Sequence, residues 1–525
     1  MLLAGLALVS CNDFLDEQPQ TTITSAAVFG DDSSALAAET GVWACVCQYN
    51  YYAQIFWEAH NLNSTEYTSI ITNGAYPTQL AGMTSGASLG TYKDIYLCAY
   101  KSINAINVML DKSSSSNDIS ASVKKTISAS GHLLRAMLYF NLVREFGPVP
   151  LVTGSITKLE EAHVGRSSKE DVYSQIINDL DVAFNNLPEP GSNRTGYPHK
   201  WAAKALLAKV YLTMANGEDG SPYWQKCFDT AREVYEAGVY SLVRPFADLW
   251  DPAKENSVES IIEFQLSEDT DGRLMSVNMP QAVELIPKVT FNGNTARIRL
   301  MPEIYDDFIE KYPDDPRIEV SILHTGFTRK TNANGGTAEV KIYPNMGGWS
   351  NFPFCRKFLD TNSVGVKGAN NFVYMRYADL LLILAESANE LGRNDAKGYV
   401  DEVLDRARDA NGNGVIDSGE VQPSAWTSGM SKEEFRDAVM QERRFELIGE
   451  CHSWFDERRR GEDYLKKCFE HHNAHKMLTT HAGKAGVYRF STEPDDVKKF
   501  MLWPIPADEI TNNSGISQED QNFGW

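Results

Sequence analysis

The sequence predicts a mostly α-helical body, built of degenerate tetratricopeptide-like helix pairs and carrying long loops. Three observations predict it: apolar residues at helical spacing through much of the chain, capping residues at the ends of those runs, and two segments that read as helix pairs. At 525 residues the chain can bury a large core. Its 42% hydrophobic and 23% charged residues exclude both a disordered chain and a multi-span membrane protein.

Residues 1–9 are apolar but far shorter than the ~20 residues of a membrane-spanning helix, so residues 1–10 read as an export signal. No lysine or arginine precedes the apolar run, so we expect the natural signal to be longer. Leu8-Val9-Ser10-Cys11 resembles a bacterial lipobox, which makes Cys11 the expected lipid anchor, and the polar residues 12–20 suit a tether. Beyond the anchor, seven cysteines at scattered positions do not suggest a disulfide framework.

Residues 133–146 are apolar around most of their circumference and end at Gly147-Pro148, as expected of a helix packed between neighbours. Ser167-x-x-Glu170 and Ser168-x-x-Asp171 each offer a capping box before Val172, Ile176, Leu180, Ala183, Phe184 and Leu187, a face that stops at Pro188. Residues 201–214 carry alanines that admit a close neighbour, and with 224–236 they make one helix pair. Residues 377–391, closed by Gly392, pair with a second amphipathic run to about residue 410. Two polar segments with aromatic insertions, 61–90 and 326–357, read as candidate ligand loops. The first carries Tyr67, Tyr76 and Met83, the second Tyr343, Trp349, Phe352 and Phe354.

Several blocks resemble the SusD/RagB family. They are Arg135-Ala136 with the run Tyr139-Phe140-Asn141-Leu142-Val143 and Phe146-Gly147-Pro148-Val149-Pro150, then the alanine-rich stretch 202–212, then Arg376-Tyr377-Ala378-Asp379. Glu442-Arg443-Arg444-Phe445-Glu446-Leu447, Trp454-Phe455-Asp456, Trp503-Pro504-Ile505-Pro506 and Asn522-Phe523-Gly524 complete the order. The chain departs from the family pattern at Cys451-His452-Ser453, where Gly-His-Arg is more usual.

The resemblance implies a SusD-like helical body, with an N-terminal region over 11–217 and a C-terminal region over 218–525 packed as one. It also implies a glycan-binding lipoprotein on the outer membrane, facing the cell exterior, that delivers its ligand to a SusC-like TonB-dependent transporter. A peptide ligand, as for RagB, is the alternative. Tyr67, Tyr76 and Trp349 would offer ring faces to a pyranose, with Asn73 and Arg297 serving its hydroxyls.

A net charge of −21 opposes nucleic-acid binding. Enzyme chemistry is poorly supported. Residues 86–90 match G-x-S-x-G, yet no apolar strand precedes Ser88 to form a nucleophile elbow. Cys468, His471, His472, His475 and His481 could suggest zinc, but the H-E-x-x-H order is missing and a solvated polar stretch is expected. Acidic pairs among 70 carboxylates cannot identify a glycosidase. The charged runs 442–446 and 456–460 read as structural ion pairs.

Residues 409–420 satisfy the EF-hand loop pattern D-x-[DN]-x-[DN]-G-x5-E at every fixed position, which predicts calcium. Asp409, Asn411 and Asn413 would supply side-chain oxygens, Val415 its carbonyl, Asp417 a direct or water-mediated contact, and Glu420 two oxygens. Gly414 permits the turn and Ile416 should point into the protein. The entering helix is expected to end at residue 408 and the next to start near Ser431. The ion would cross-link the loop to the scaffold, or shape a ligand or partner surface.

Overall fold

The computed structural model describes residues 28–71, 75–266, 280, 282–286, 297–345, 351–361, 368 and 370–525. Cys11, the export signal and the tether lie outside them, as do Asn73 and Trp349. Among the described residues the strands are short and form two-stranded antiparallel pairs, so helix packing builds the body.

Local chemistry sets the helix ends. Ser120 caps Ala121–Phe146 by accepting from the Val123 amide, and Gly147 ends the helix at φ 73°, where a side chain would be strained. Every residue from Leu133 to Val143 is buried, because the helix lies between neighbours rather than on the surface. At Gly131 a Cβ would come within 2.9 Å of Leu110 Cδ2, so glycine lets the preceding helix, Gly90–Ser115, approach closely. Ser168 accepts from the Asp171 amide at 3.1 Å and donates to its carboxylate at 2.7 Å, so of the two boxes the sequence offers it is the one at Ser168 that starts Lys169–Asn186. That helix packs on Ala121–Phe146, where buried Arg135 grips buried Asp179 through two bonds of 2.8 and 2.7 Å.

Both expected helix pairs are present: Lys200–Met214 packs on Pro222–Glu236, and Tyr377–Glu390 on Ala396–Arg408. Tyr377–Glu390 is buried at every position and also touches Pro222–Glu236 and Lys432–Glu446, which makes it the centre of the C-terminal packing.

The charged runs are interior. Arg376 reaches Glu259 at 2.8 Å, Glu446 at 2.6 Å and Glu450 at 2.7 Å, while Arg406 reaches Glu259 at 2.9 Å. Arg443 bridges Asp379 and Asp456, and Arg459 joins Asp456 to Glu386. These groups are desolvated, so each charge depends on its partners. Burial works against ionising Glu446, but Arg406, Arg376 and Arg317 outweigh it and hold its carboxyl below the usual range.

The two segments expected to be ligand loops are largely built into the body. Residues 61–90 contain the end of helix Ile55–Leu62, the strand Tyr67–Ser69 and the helix Tyr76–Ala81. Residues 326–357 form the hairpin Phe327–Lys330 with Thr337–Val340 and the strand Phe354–Cys355. Met83, Tyr343, Phe352 and Phe354 are all buried, so these rings and this thioether pack against the scaffold rather than face solvent. Among the described residues no helix is long and apolar enough to cross a membrane.

Candidate functional site

Pairing of strands far apart in sequence assembles the site. Tyr67–Ser69 pairs antiparallel with Ile298–Leu300, Tyr67 opposite Leu300, and the Ile70 amide continues the ladder onto the Arg297 carbonyl at 3.2 Å. Arg297 is thereby brought beside Tyr76, which opens a short helix with Pro77 in its first turn. Beneath both lies Glu58 on helix Ile55–Leu62, its side chain fully buried.

These three side chains form one hydrogen-bonded cluster. Arg297 Nη2 donates to both Glu58 oxygens at 3.0 Å and to the Tyr76 hydroxyl at 2.6 Å. Tyr76 in turn donates to Glu58 Oε2, and Gln54 Nε2 donates to Glu58 Oε1 at 2.9 Å. Burial and the adjacent Glu58 carboxylate push the Tyr76 phenol well up, so it is neutral and a donor. For Arg297, burial opposes the charge, yet Glu58 outweighs it and the guanidinium is held more firmly protonated. A half-buried ring and a charged fork, both fixed from below, can meet a sugar's C–H face and hydroxyls.

The expected ligand residues therefore divide. Tyr76 and Arg297 converge. Tyr67 does not face a ligand: it is 2% exposed, packs edge-on against Trp57 at 5.7 Å, and is roofed by Gly449. A Cβ at Gly449 would come 3.1 Å from the Tyr67 hydroxyl and 2.5 Å from Cys355 Sγ, so the roof needs glycine. Sequence reasoning missed Glu58. The signal available was one acid in the apolar run Ile55-Phe56-Trp57-Glu58-Ala59, where burial demands a partner.

The loop 409–420 follows helix Ala396–Arg408, and the next helix, Lys432–Glu446, is capped by Ser431, as the sequence implies. Gly414 takes φ 81°, and Asp409 accepts from the amides of Asn413 at 3.0 Å and Gly414 at 2.9 Å. Both Glu420 oxygens turn inward, onto the amides of Ala410 and Asp417. Asp409 also accepts from Arg244 at 2.7 Å, a cation at the first ligand position. Among the described residues no group of three or more His, Cys, Asp and Glu side chains stands ready to hold a metal. The oxygen donors themselves suit calcium, but Arg244 and the backbone amides occupy them. Ile416 is 41% exposed and points outward, contrary to expectation, because no exit helix folds back to cover it.

Among the described residues the histidine group does not gather as a zinc site, and it is solvated only in part: the His471 side chain is 54% exposed, whereas His472 is buried. His472 meets Glu303 at 2.9 Å, His471 meets Asp307 at 2.8 Å and His475 meets Asp306 at 3.2 Å, all three acids lying on helix Pro302–Lys311. Burial, reinforced by Glu457, pushes the Cys468 thiol up, away from the thiolate that zinc requires. Ser88 is exposed in a turn with no strand before it, so the elbow geometry is missing.

Two family models match in sequence. Residues 286–525 match a model described as "SusD family", and residues 13–212 match one described as "Starch-binding associating with outer membrane". A SusD-like protein of Formosa agariphila is 25% identical over 546 residues, covering 97% of this chain and 95% of its own. A SusD-like protein of Bacteroides ovatus is 28% identical over 271 residues, about half of each chain (50% and 48%). Among solved structures, a SusD homolog from Bacteroides thetaiotaomicron superposes with TM-score 0.74 at 22% identity, covering 94% of this chain and 97% of its own. A structure described as a laminarin-binding SusD-like protein has TM-score 0.69 at 23% identity, covering 95% of this chain and 100% of its own.

Proposed function

Because the chain belongs to the SusD/RagB family, we propose that it is a cell-surface lipoprotein that captures glycans and passes them to a SusC-like TonB-dependent transporter. The observation that carries the reading is the Glu58–Tyr76–Arg297 cluster, a ring and a charged fork locked in place by a buried acid. Asn73 and Trp349 would complete the contacts. The laminarin-binding relative of the same fold supports a saccharide over a peptide. In this reading the protein is a binder rather than an enzyme, which is supported by the G-x-S-x-G serine lacking an elbow and by His471, His472 and His475 meeting carboxylates. Incubation with a glycan array and a peptide pool, followed by sizing of whatever is retained, tests this. Retained glycan of unchanged length is expected, and retention of peptides alone or shortened glycan would overturn it.

Cys11 would carry the lipid that holds the protein on the outer membrane. Cys11→Ala should release it to the soluble fraction, and membrane retention of that variant with the transporter deleted would contradict the anchor. Affinity capture from detergent should bring down the transporter, whereas recovery of a free monomer alone would argue for a stand-alone binder.

Calcium would occupy residues 409–420, held by Asp409, Asn411, Asn413, Asp417, Glu420 and the Val415 carbonyl, after displacing Arg244 from Asp409. It would supply no chemistry, only a cross-link. Calcium should raise the melting temperature of chelator-treated protein, and Glu420→Ala should remove most of that rise. No binding at millimolar calcium by a folded protein would refute it.

A further inference from the structure

A groove of about 1040 Å³ opens on a different part of the body and shares no residue with the Glu58–Tyr76–Arg297 cluster. Its walls come from helices Ala121–Phe146, Lys169–Asn186, Pro222–Glu236 and Glu462–Ala474 and from the C-terminal segment. In a chain of net charge −21, this groove is lined by seven basic residues and three acidic ones.

Five of its cations lack a carboxylate. Among the described residues Arg144, Lys169, Lys226, Lys498 and Lys499 form no ion pair. Arg144 is clamped with its guanidinium 3.7 Å from the ring centroids of both Phe140 and Phe455. Its Nε donates to the Phe140 carbonyl at 2.9 Å and its Nη2 to Asn141 Oδ1 at 2.7 Å, which leaves Nη1 as the uncommitted end of a fixed fork. Lys226 lies 5.1 Å from the Tyr223 ring, and Lys498 lies 4.4 Å from Phe523, a ring 47% exposed. Rings therefore hold Arg144, Lys226, Lys498 and Lys499 where acids hold the interior cations around Arg376.

We propose that this groove binds an anionic oligosaccharide, one carrying carboxylate or sulfate groups, as a second glycan site. Unpaired cations within about a Debye length (~8 Å at physiological salt) repel one another, and an anion placed among them relieves that repulsion while forming charge-assisted hydrogen bonds. The ring faces of Tyr223 and Phe523 supply the apolar partner that a pyranose C–H face needs. A polyphosphate strand long enough to leave the groove would meet the repulsion of the acidic remainder, whereas a short saccharide stays within it. The inference rests on the glycan-binding reading above, and it extends that reading to acidic sugars.

Calorimetric titration of the full chain tests it with three probes: an oligogalacturonate hexamer, a sulfated oligosaccharide of equal length, and a neutral glucan hexamer. At least one anionic probe should bind, more weakly as salt rises, and Lys226→Glu with Lys498→Glu should weaken it at least tenfold. Both lysines are exposed, so the variant should fold, and its unchanged melting temperature is the control. The neutral probe should be unaffected by that variant. The proposal fails if neither anionic probe binds, if their binding survives the double variant, or if the variant instead loses capture of the transporter, which would make the groove a protein contact. Neutral glucan retained with no anionic binding would sink the groove alone; no binding of any of the three probes would count against both readings.

Discussion

Two regions of this molecule use arginine and lysine in opposite ways. Around Arg376 and Arg443 the interior cations meet one or more carboxylates, while around Arg144 five of the groove's seven cations meet rings and solvent instead. The first arrangement fixes how helices pack, because a buried charge tolerates few geometries. The second leaves charge available for something that is not part of the chain. Residue type alone does not distinguish them; pairing does.

The sharpest way to break this contrast is in the interior. Arg376→Met should cost about 3–5 kcal/mol, since it leaves Glu259, Glu446 and Glu450 with fewer partners in a desolvated site, and urea unfolding would measure it. A loss under about 1 kcal/mol would mean that the interior pairs are as dispensable as surface ones.

The histidine seam gives an intermediate case, paired but titratable. Burial opposes protonation of His472, yet Glu303 outweighs it, and Asp307 likewise raises His471. A histidine raised in the folded state adds stability that is full below its unfolded value of about 6.5 and is lost as pH rises through the folded one. The melting temperature should therefore fall between pH 6 and pH 9, and His472→Gln should flatten part of that fall. An identical pH profile in the variant would remove His472 from the account.

The smallest expected effect lies in the groove. Lys226→Glu with Lys498→Glu should change stability by less than about 0.5 kcal/mol, because both lysines are exposed and among the described residues neither holds a carboxylate. A larger change would show that these cations are structural after all.

The helices were legible because their causes are local: Ser168 and Asp171 cap one, Gly147 and Gly392 end others, and apolar spacing marks the buried faces. The site was legible in part. Tyr76 and Arg297 were singled out by chemistry, but only the register of Tyr67 against Leu300 places them together, and the contact it creates joins Glu58 to Arg297 across 239 residues, a separation that no local pattern records. The same register buries Tyr67, which local sequence had left looking like a loop ring. The burial of His472 and the pairing of His471 and His475 could not be read locally because their acids, Glu303, Asp307 and Asp306, lie far upstream. The groove carries no motif, since its walls converge from distant segments.

The most direct test of glycan capture compares Arg297, which grips Tyr76, with the buried Tyr67 outside that cluster. The glycan retained on the array is titrated into the full chain, into Arg297→Ala, and into Tyr67→Phe as a buried control. Arg297→Ala should weaken binding at least tenfold, about 1.4 kcal/mol, because it removes the fork and unlocks Tyr76, while Tyr67→Phe should bind as the unaltered chain does. Equal affinity for all three proteins would contradict the account.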